Sequence, residues 1–303
     1  MIKAKDLLKE CEDMPALIEE RVGKKYDEYA KYFIPLQHQY EQVQKKVQEL
    51  ITRYENHEPN KPKGLYVVKD KPPINPDVLP DDITSDYAIE WVKTFMQYID
   101  LCHKAFTQSR ENFLAFYNDQ KVFGKLQNSR LLLGVLDRFE NADKQKNPDF
   151  LRDMKKGGKH KFTDLQNKMI PALEAEQREF DIRVSDLDAA LKVYDSIHTM
   201  VNQIYQVIAL AHGQMMKNST KLTAEMITAA ENEETYTPEK KELELFRSIT
   251  EVLVEQKNSM DAFRNHLQHI EALSLQLLLL RGKQQNIITR THTLYITTLK
   301  DVF

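Results

Sequence analysis

Seven cations crowd one short stretch of this chain. Between Lys144 and Lys161 the sequence KQKNPDFLRDMKKGGKHK carries Lys144, Lys146, Arg152, Lys155, Lys156, Lys159 and Lys161 against only Asp149 and Asp153. The local balance is +5, while the 303-residue chain has a formal net charge of −3. Ammonium and guanidinium groups set this closely around Gly157-Gly158 suit one kind of chemistry, the attraction of an anionic surface. The plainer reading is a flexible, lysine-rich turn that keeps a helix connection soluble.

No other set of residues is spaced for chemistry. His266 and His269 lie three apart with Glu271 beside them, and Asp100-His103 and Asp195-His198 have the carboxylate-to-histidine spacing of di-iron bundles. Such bundles also need a Glu-x-x-His motif on each of two helices, and none occurs. His-Glu-x-x-His, a Gly-rich phosphate loop, a nucleophile elbow and a dinucleotide fingerprint are likewise missing from the sequence. Glu225, Glu231, Glu233 and Glu234 lack calcium-loop spacing and read as a solvated helix end. The sequence therefore predicts no enzyme, no metal site and no cofactor. The negative total charge gives no bulk pull toward nucleic acid, and none is expected as a partner.

Cys11 and Cys102 are the only cysteines. Two offer no disulfide framework and fit a reducing compartment, so a cytoplasmic location is expected. The opening MIKAKDLLKECEDMP lacks the apolar core of a signal peptide, and the run Leu277-Leu278-Leu279-Leu280 is too short to cross a bilayer. The sequon Asn218-Ser219-Thr220 falls in a helical pattern and reads as chance.

The elements that hold the basic stretch follow from the breaks. Six of eleven prolines fall between Pro59 and Pro80, a density that no helix survives. This predicts an extended connector over 57–84, either a plain linker or a loop that docks protein partners, with Leu65-Tyr66-Val67-Val68 lying on a neighbouring surface. Asn147-Pro148 with the glycine pair makes the second break. Thr237 and Pro238, an N-cap followed by a first-turn proline, mark the third. Four helices result, at about 16–56, 85–142, 162–231 and 238–301, and the last three would each run about 85–105 Å if continuous.

Apolar residues in steps of four and three run through all four. The first has Val22, Tyr26, Tyr29, Phe33, Leu36, Tyr40, Val43, Val47, Leu50 and Tyr54. The second has Val92, Phe95, Ile99, Cys102, Phe106, Phe113, Phe116 and Phe123, interrupted by Ser109 and Gln120. The third runs from Phe180 through Leu187, Tyr194, His198, Val201, Tyr205, Ile208, His212 and Met215. The fourth has Phe246, Ile249, Leu253, Met260, Phe263, Leu267, Ile270 and Leu277. Second rows accompany two of them: Ile182, Ala190, Ile197 and Ile204 on the third, Leu275, Leu278 and Leu279 on the fourth. The fold class expected is all-α, one elongated antiparallel bundle of four long, coiled-coil-like helices, with spare apolar surface for a homodimer. Pro35 and Pro171 should kink their helices, and Gly124, Gly134, Gly213 and Gly282 should add bends.

In this topology the basic stretch joins the second helix to the third at one tip, and Arg281, Lys283, Arg290 and Lys300 return toward it. Long kinked helices, a hairpin with a basic tip and spare apolar surface together resemble the BAR-domain superfamily, nearest its F-BAR branch. The resemblance is one of architecture, spans the whole chain and is not carried by signature residues. It implies a crescent-shaped antiparallel homodimer that binds anionic membrane and bends or senses it, a scaffold of trafficking or endocytosis placed at the membrane periphery. The competing expectation is a cytoskeletal or trafficking adaptor that works by protein contacts without lipid.

Overall fold

The computed structural model describes residues 2–57, 85–144, 158–232 and 238–300, with side chains described within 2–56, 88–141, 167–229 and 242–298. The described residues are all-α and contain no β-strand. The helices are α1 (Ala4–Ile18), α2 (Lys24–His57), α3 (Ser85–Phe123), α4 (Gln127–Lys144), α5 (Gly158–Glu231) and α6 (Pro238–Lys300), and one π-helical turn, Glu19–Gly23, joins α1 to α2. The connector over 57–84 lies outside the described residues beyond His57.

Helix α1 extends further toward the start of the chain than the expected boundary at residue 16. Ala4, Leu7, Cys11, Met14 and Ile18 are all buried, and their steps of three and four make one apolar face. Its first backbone N–H, on Ala4, donates to Glu140 Oε1 at 3.2 Å. The expected helix 85–142 is two helices. Gly124 and Lys125 form a turn, and Leu126 takes φ 44°, a left-handed conformation that costs an L-residue roughly 1–2 kcal/mol. Leu126 is fully buried, and burial of a leucine side chain contributes about 1.5–3 kcal/mol, enough to hold the strained backbone. Helix α5 starts four residues earlier than expected, at Gly158, so Pro171 sits inside it rather than at its start. Pro35 is inside α2, and Pro15 inside α1.

The chain groups into two compact units. One comprises 1–29, 109–194 and 269–303, and the other 30–108 and 195–268. In the first unit, α1 and α4 run antiparallel, since Ala4 meets Glu140 and Glu12 pairs with Arg130. The α3 and α5 segments are antiparallel too, with Asp119 on Arg183 and Phe123 on Phe180. Gln284 Nε2 donates to Gln120 Oε1 at 2.6 Å, and this amide pair is buried. In the second unit, α6 is antiparallel to α2: Tyr32 rests edge-on against His266, and Lys46 pairs with Glu255. It is parallel to α3. Gln256 Nε2 donates to the Val92 carbonyl at 3.2 Å, and Phe106 stacks on Phe263 with centroids 4.9 Å apart.

The apolar rows map closely onto the core. On α2, Val22 of the π turn aside, Tyr29, Phe33, Leu36, Val43, Val47 and Leu50 are buried, with Tyr26, Tyr40 and Tyr54 half-buried. Every residue of the α6 row is buried. Ser109 and Gln120, the polar interruptions on α3, are buried with their apolar neighbours. Helix α5 departs from expectation. From Tyr194 to Met215 its buried residues are Tyr194, Ile197, Val201, Ile204, Ile208, Ala211 and Met215. Ile197, Ile204 and Ala211 fill the column expected for His198, Tyr205 and His212. His198 is exposed, and the other two are half-buried. The two columns lie about 100° apart on a helix, and burial selects the apolar one over the one carrying imidazole and phenol. Ala190, Ile197 and Ile204 are thus core, and only Ile182 of that second row is exposed.

Two glycines separate close packing from open space. A Cβ on Gly124 would sit 2.1 Å from Ile18 Cδ1 and 2.5 Å from the Gln120 carbonyl oxygen, whereas one on Gly134 meets nothing within 4 Å. Gly124→Ala is expected to lower stability by about 1–3 kcal/mol through overpacking, and Gly134→Ala to raise it by about 0.5–1 kcal/mol through helix propensity. Urea denaturation of the two variants checks both signs.

Candidate functional site

Of the seven cations expected to form the site, three have a described backbone. Lys144 is the last residue of α4, and Lys159 and Lys161 belong to the first turn of α5. Lys146, Arg152, Lys155 and Lys156 lie outside the described residues. The stretch therefore runs between two helices, as the sequence implied, but three of its lysines, Lys144, Lys159 and Lys161, are themselves helical. The first turn of α5 contains no acidic residue. A helix N-terminus carries about half a positive charge from its unpaired N–H groups, and no carboxylate is present in that turn to offset it.

Elsewhere, several buried polar groups are committed to structure. Glu176 of α5 is the clearest case, at 5 % exposure. Its Oε1 accepts from the Asn128 backbone N–H at 3.0 Å, and its Oε2 accepts from the Ser129 N–H at 2.9 Å and from the Ser129 hydroxyl. Asn128 Nδ2 in turn donates to the Ala172 carbonyl at 2.9 Å. A carboxylate from a distant helix thus caps the start of α4, satisfying N–H groups that a helix leaves unpaired. Burial raises the Glu176 pKa, and the three hydrogen bonds oppose that shift.

Tyr117 and Tyr40 each hold a carboxylate. The Tyr117 hydroxyl donates to Glu19 of the π turn at 2.8 Å, and a Cβ on Gly23 would come within 2.5 Å of that hydroxyl oxygen. Only glycine admits so close an approach. The Tyr40 hydroxyl donates to Asp100 at 2.7 Å while its ring stacks on His103 at 4.2 Å. Burial, with these hydrogen bonds, pushes both phenols up to about 12. Burial lowers the His103 pKa, against Asp100 and Glu41. The thiols of Cys11 and Cys102 are buried and pushed up to about 12, far from the thiolate that nucleophilic chemistry needs.

The two best-formed cavities among the described residues add no ligand site. The space lined by Phe116, Gln120, Phe180, Leu187, Leu277 and Gln284 holds about 10 Å³, near the lower limit for one water. The larger depression is bounded only by α2 residues such as Glu41, Lys45, Glu49 and Arg53, and is open surface along one helix. Among the described residues no three His, Cys, Asp or Glu side chains converge as metal ligands, and no helix is long and apolar enough to cross a membrane. His266, which the sequence sets three residues from His269, is buried between Tyr32 and Phe106.

Compared with known proteins, the chain matches no family model, no curated protein and no solved structure. The fold and these groups define a helical-bundle protein.

Removing the Glu176 cap should be costly and pH-dependent. Glu176→Ala leaves buried N–H groups without acceptors and is expected to destabilise by about 2–4 kcal/mol. Glu176→Gln keeps an acceptor and is expected to cost less. Because the folded pKa lies above the unfolded one, the glutamate's contribution is fully present below the unfolded carboxyl pKa and is lost as pH rises through the folded value. The stability of the parent chain relative to Glu176→Gln is therefore expected to fall as the pH of a denaturation series increases. A rise over that range would contradict the desolvation account.

Proposed function

We propose that this protein is a peripheral membrane scaffold of the cytoplasm that acts as a homodimer and meets anionic phospholipid through the connection between α4 and α5. The reading rests on one observation: seven cations within eighteen residues, bounded on one side by Lys144 at the end of α4 and on the other by an α5 first turn that holds Lys159, Lys161 and no acid. Each Lys or Arg near an anionic leaflet contributes about 1 kcal/mol, within a Debye length of about 8–10 Å. A local excess of five positive charges is enough to hold the protein reversibly at a surface, and two copies of the stretch on a dimer strengthen that hold. Catalysis has no part in this reading.

A second reading, an adaptor that works through protein contacts alone, is favoured by uncharged surface on the long helices. Leu275 and Leu279 of α6 and Leu210 and Met216 of α5 are about half exposed. A lipid scaffold and a lipid-indifferent adaptor separate in one assay.

Co-sedimentation with vesicles of phosphatidylserine and phosphatidylcholine is expected to carry the protein down at low salt. The bound fraction should fall as salt rises and vanish with pure phosphatidylcholine. Replacing Lys155, Lys156, Lys159 and Lys161 by Glu should abolish binding while leaving the helical circular-dichroism signal intact. Undiminished binding by that variant would remove the electrostatic mechanism, and no binding by the parent chain would favour the adaptor.

A further inference from the structure

Asp100 of α3 stands between two side chains that can each claim it. One is Tyr40 of α2, whose hydroxyl donates to Asp100 Oδ1 at 2.7 Å and so ties two helices of the second unit together. The other is His103, three residues further along α3, and side chains at that spacing on a helix are neighbours. The three groups form one cluster. The His103 ring lies flat on the Tyr40 ring, with centroids 4.2 Å apart and planes 15° apart. Its Nε2 is buried and has no hydrogen-bond partner among the described residues.

A neutral imidazole suits this place better than an imidazolium, which has a second N–H to satisfy and a charge to solvate. Burial lowers the His103 pKa against the pull of two carboxylates, Asp100 on its own helix and Glu41 on α2. Glu41 is the weaker competitor. It is exposed and accepts from Gln37 Nε2 at 3.4 Å, so water screens it, whereas Asp100 is half-buried. A proton that His103 takes from water therefore finds its counter-ion in Asp100. The charged ring offers that carboxylate a full opposite charge, which the phenol lacks.

We propose that Asp100 is a proton-controlled tie between α2 and α3. With His103 neutral, the carboxylate stays on Tyr40 and the two helices are bound through it. With His103 charged, the carboxylate turns to its own helix and the bond across the helices is released. Only a proton moves, and it leaves again when the pH rises. The device goes beyond the membrane reading and does not depend on it, since no lipid takes part. Because burial puts the folded pKa below the unfolded one, the stability contributed by neutral His103 is fully present above the ordinary histidine value of about 6.5. It is lost as the pH falls from there through the folded value.

Urea denaturation at about pH 7.5 and about pH 5.5, on either side of the ordinary histidine value, tests this. Trp91, the only tryptophan of the chain, is buried on α3, and its fluorescence reports the second unit. Tyr40→Phe keeps the ring and removes the hydroxyl. It should lower the urea midpoint clearly at the higher pH and by less than half as much at the lower one. In a His103→Gln background, which cannot take up the proton, the same substitution should cost the same at both. NMR titration of the histidine rings should place His103 of the parent below about 6.5 and move it upward in Tyr40→Phe, where Asp100 is released to pair with it. An equal cost of Tyr40→Phe at both pH values in the parent, an undiminished pH dependence in the His103→Gln background, or a parent His103 that titrates at or above about 6.5 each overturns the proposal.

Discussion

Long helices side by side need a seam that is dry along its whole length, and this constraint governs the protein. Every three or four residues each helix must present an apolar side chain, or an amide whose partner is fixed, to its neighbours. In the second unit this yields Leu36, Val43, Trp91, Phe95, Ile99, Phe106, Ile208 and Phe263, all buried. Burying each large side chain contributes on the order of 1.5–3 kcal/mol, against a backbone ordering cost of about 1–2 kcal/mol per residue. A two-residue lapse is tolerated, as at Ser109 and Gln120. The charges, close to a third of the chain, are left to the outside.

The polar groups inside follow from the same constraint. Glu176 is deep in the first unit because α4 begins abruptly after the Gly124–Leu126 turn and its first N–H groups have no preceding turn of helix to bond. The π turn at Glu19–Gly23 likewise brings a carboxylate to the Tyr117 hydroxyl and leaves only a glycine's room beside it. These arrangements resemble parts of catalytic clusters in composition, with a carboxylate within 3 Å of a hydroxyl at Glu176 and of a phenol at Glu19 and Asp100. Their surroundings make them supports: phenols and thiols are held protonated by burial, and the carboxylates already accept the hydrogen bonds they have room for.

The fold was legible where apolar residues form a single column. The rows from Val22 to Tyr54 and from Phe246 to Leu277 are read directly from spacing and end up in the core. Legibility failed where two adjacent columns were both largely apolar, as on α5, and the histidines were then placed on the wrong side of the choice. The face Ala4-Leu7-Cys11-Met14-Ile18, in steps of three and four, is a readable signal for α1 ahead of residue 16. The break before α4 had almost none, because leucine is a poor left-handed residue and only its burial makes Leu126 possible. Glu176 lies 48 and 47 residues from the Asn128 and Ser129 N–H groups it caps, a separation no local pattern reveals. The candidate site was legible as composition, seven cations in eighteen residues, while its geometry is described only at Lys144, Lys159 and Lys161.

The buried amide pair of Gln120 and Gln284 acts like a tooth in a ratchet. Heptad seams are nearly indifferent to sliding by one repeat, since leucine meets leucine again about 10 Å further along. An amide that leaves its mate inside a dry seam forfeits about 1–3 kcal/mol on each side. Gln256, bonded to the Val92 carbonyl, does the same in the other unit. Each unit thus carries its own lock against slippage, so the alignment of helices this long is settled by three glutamines rather than by the many leucines around them.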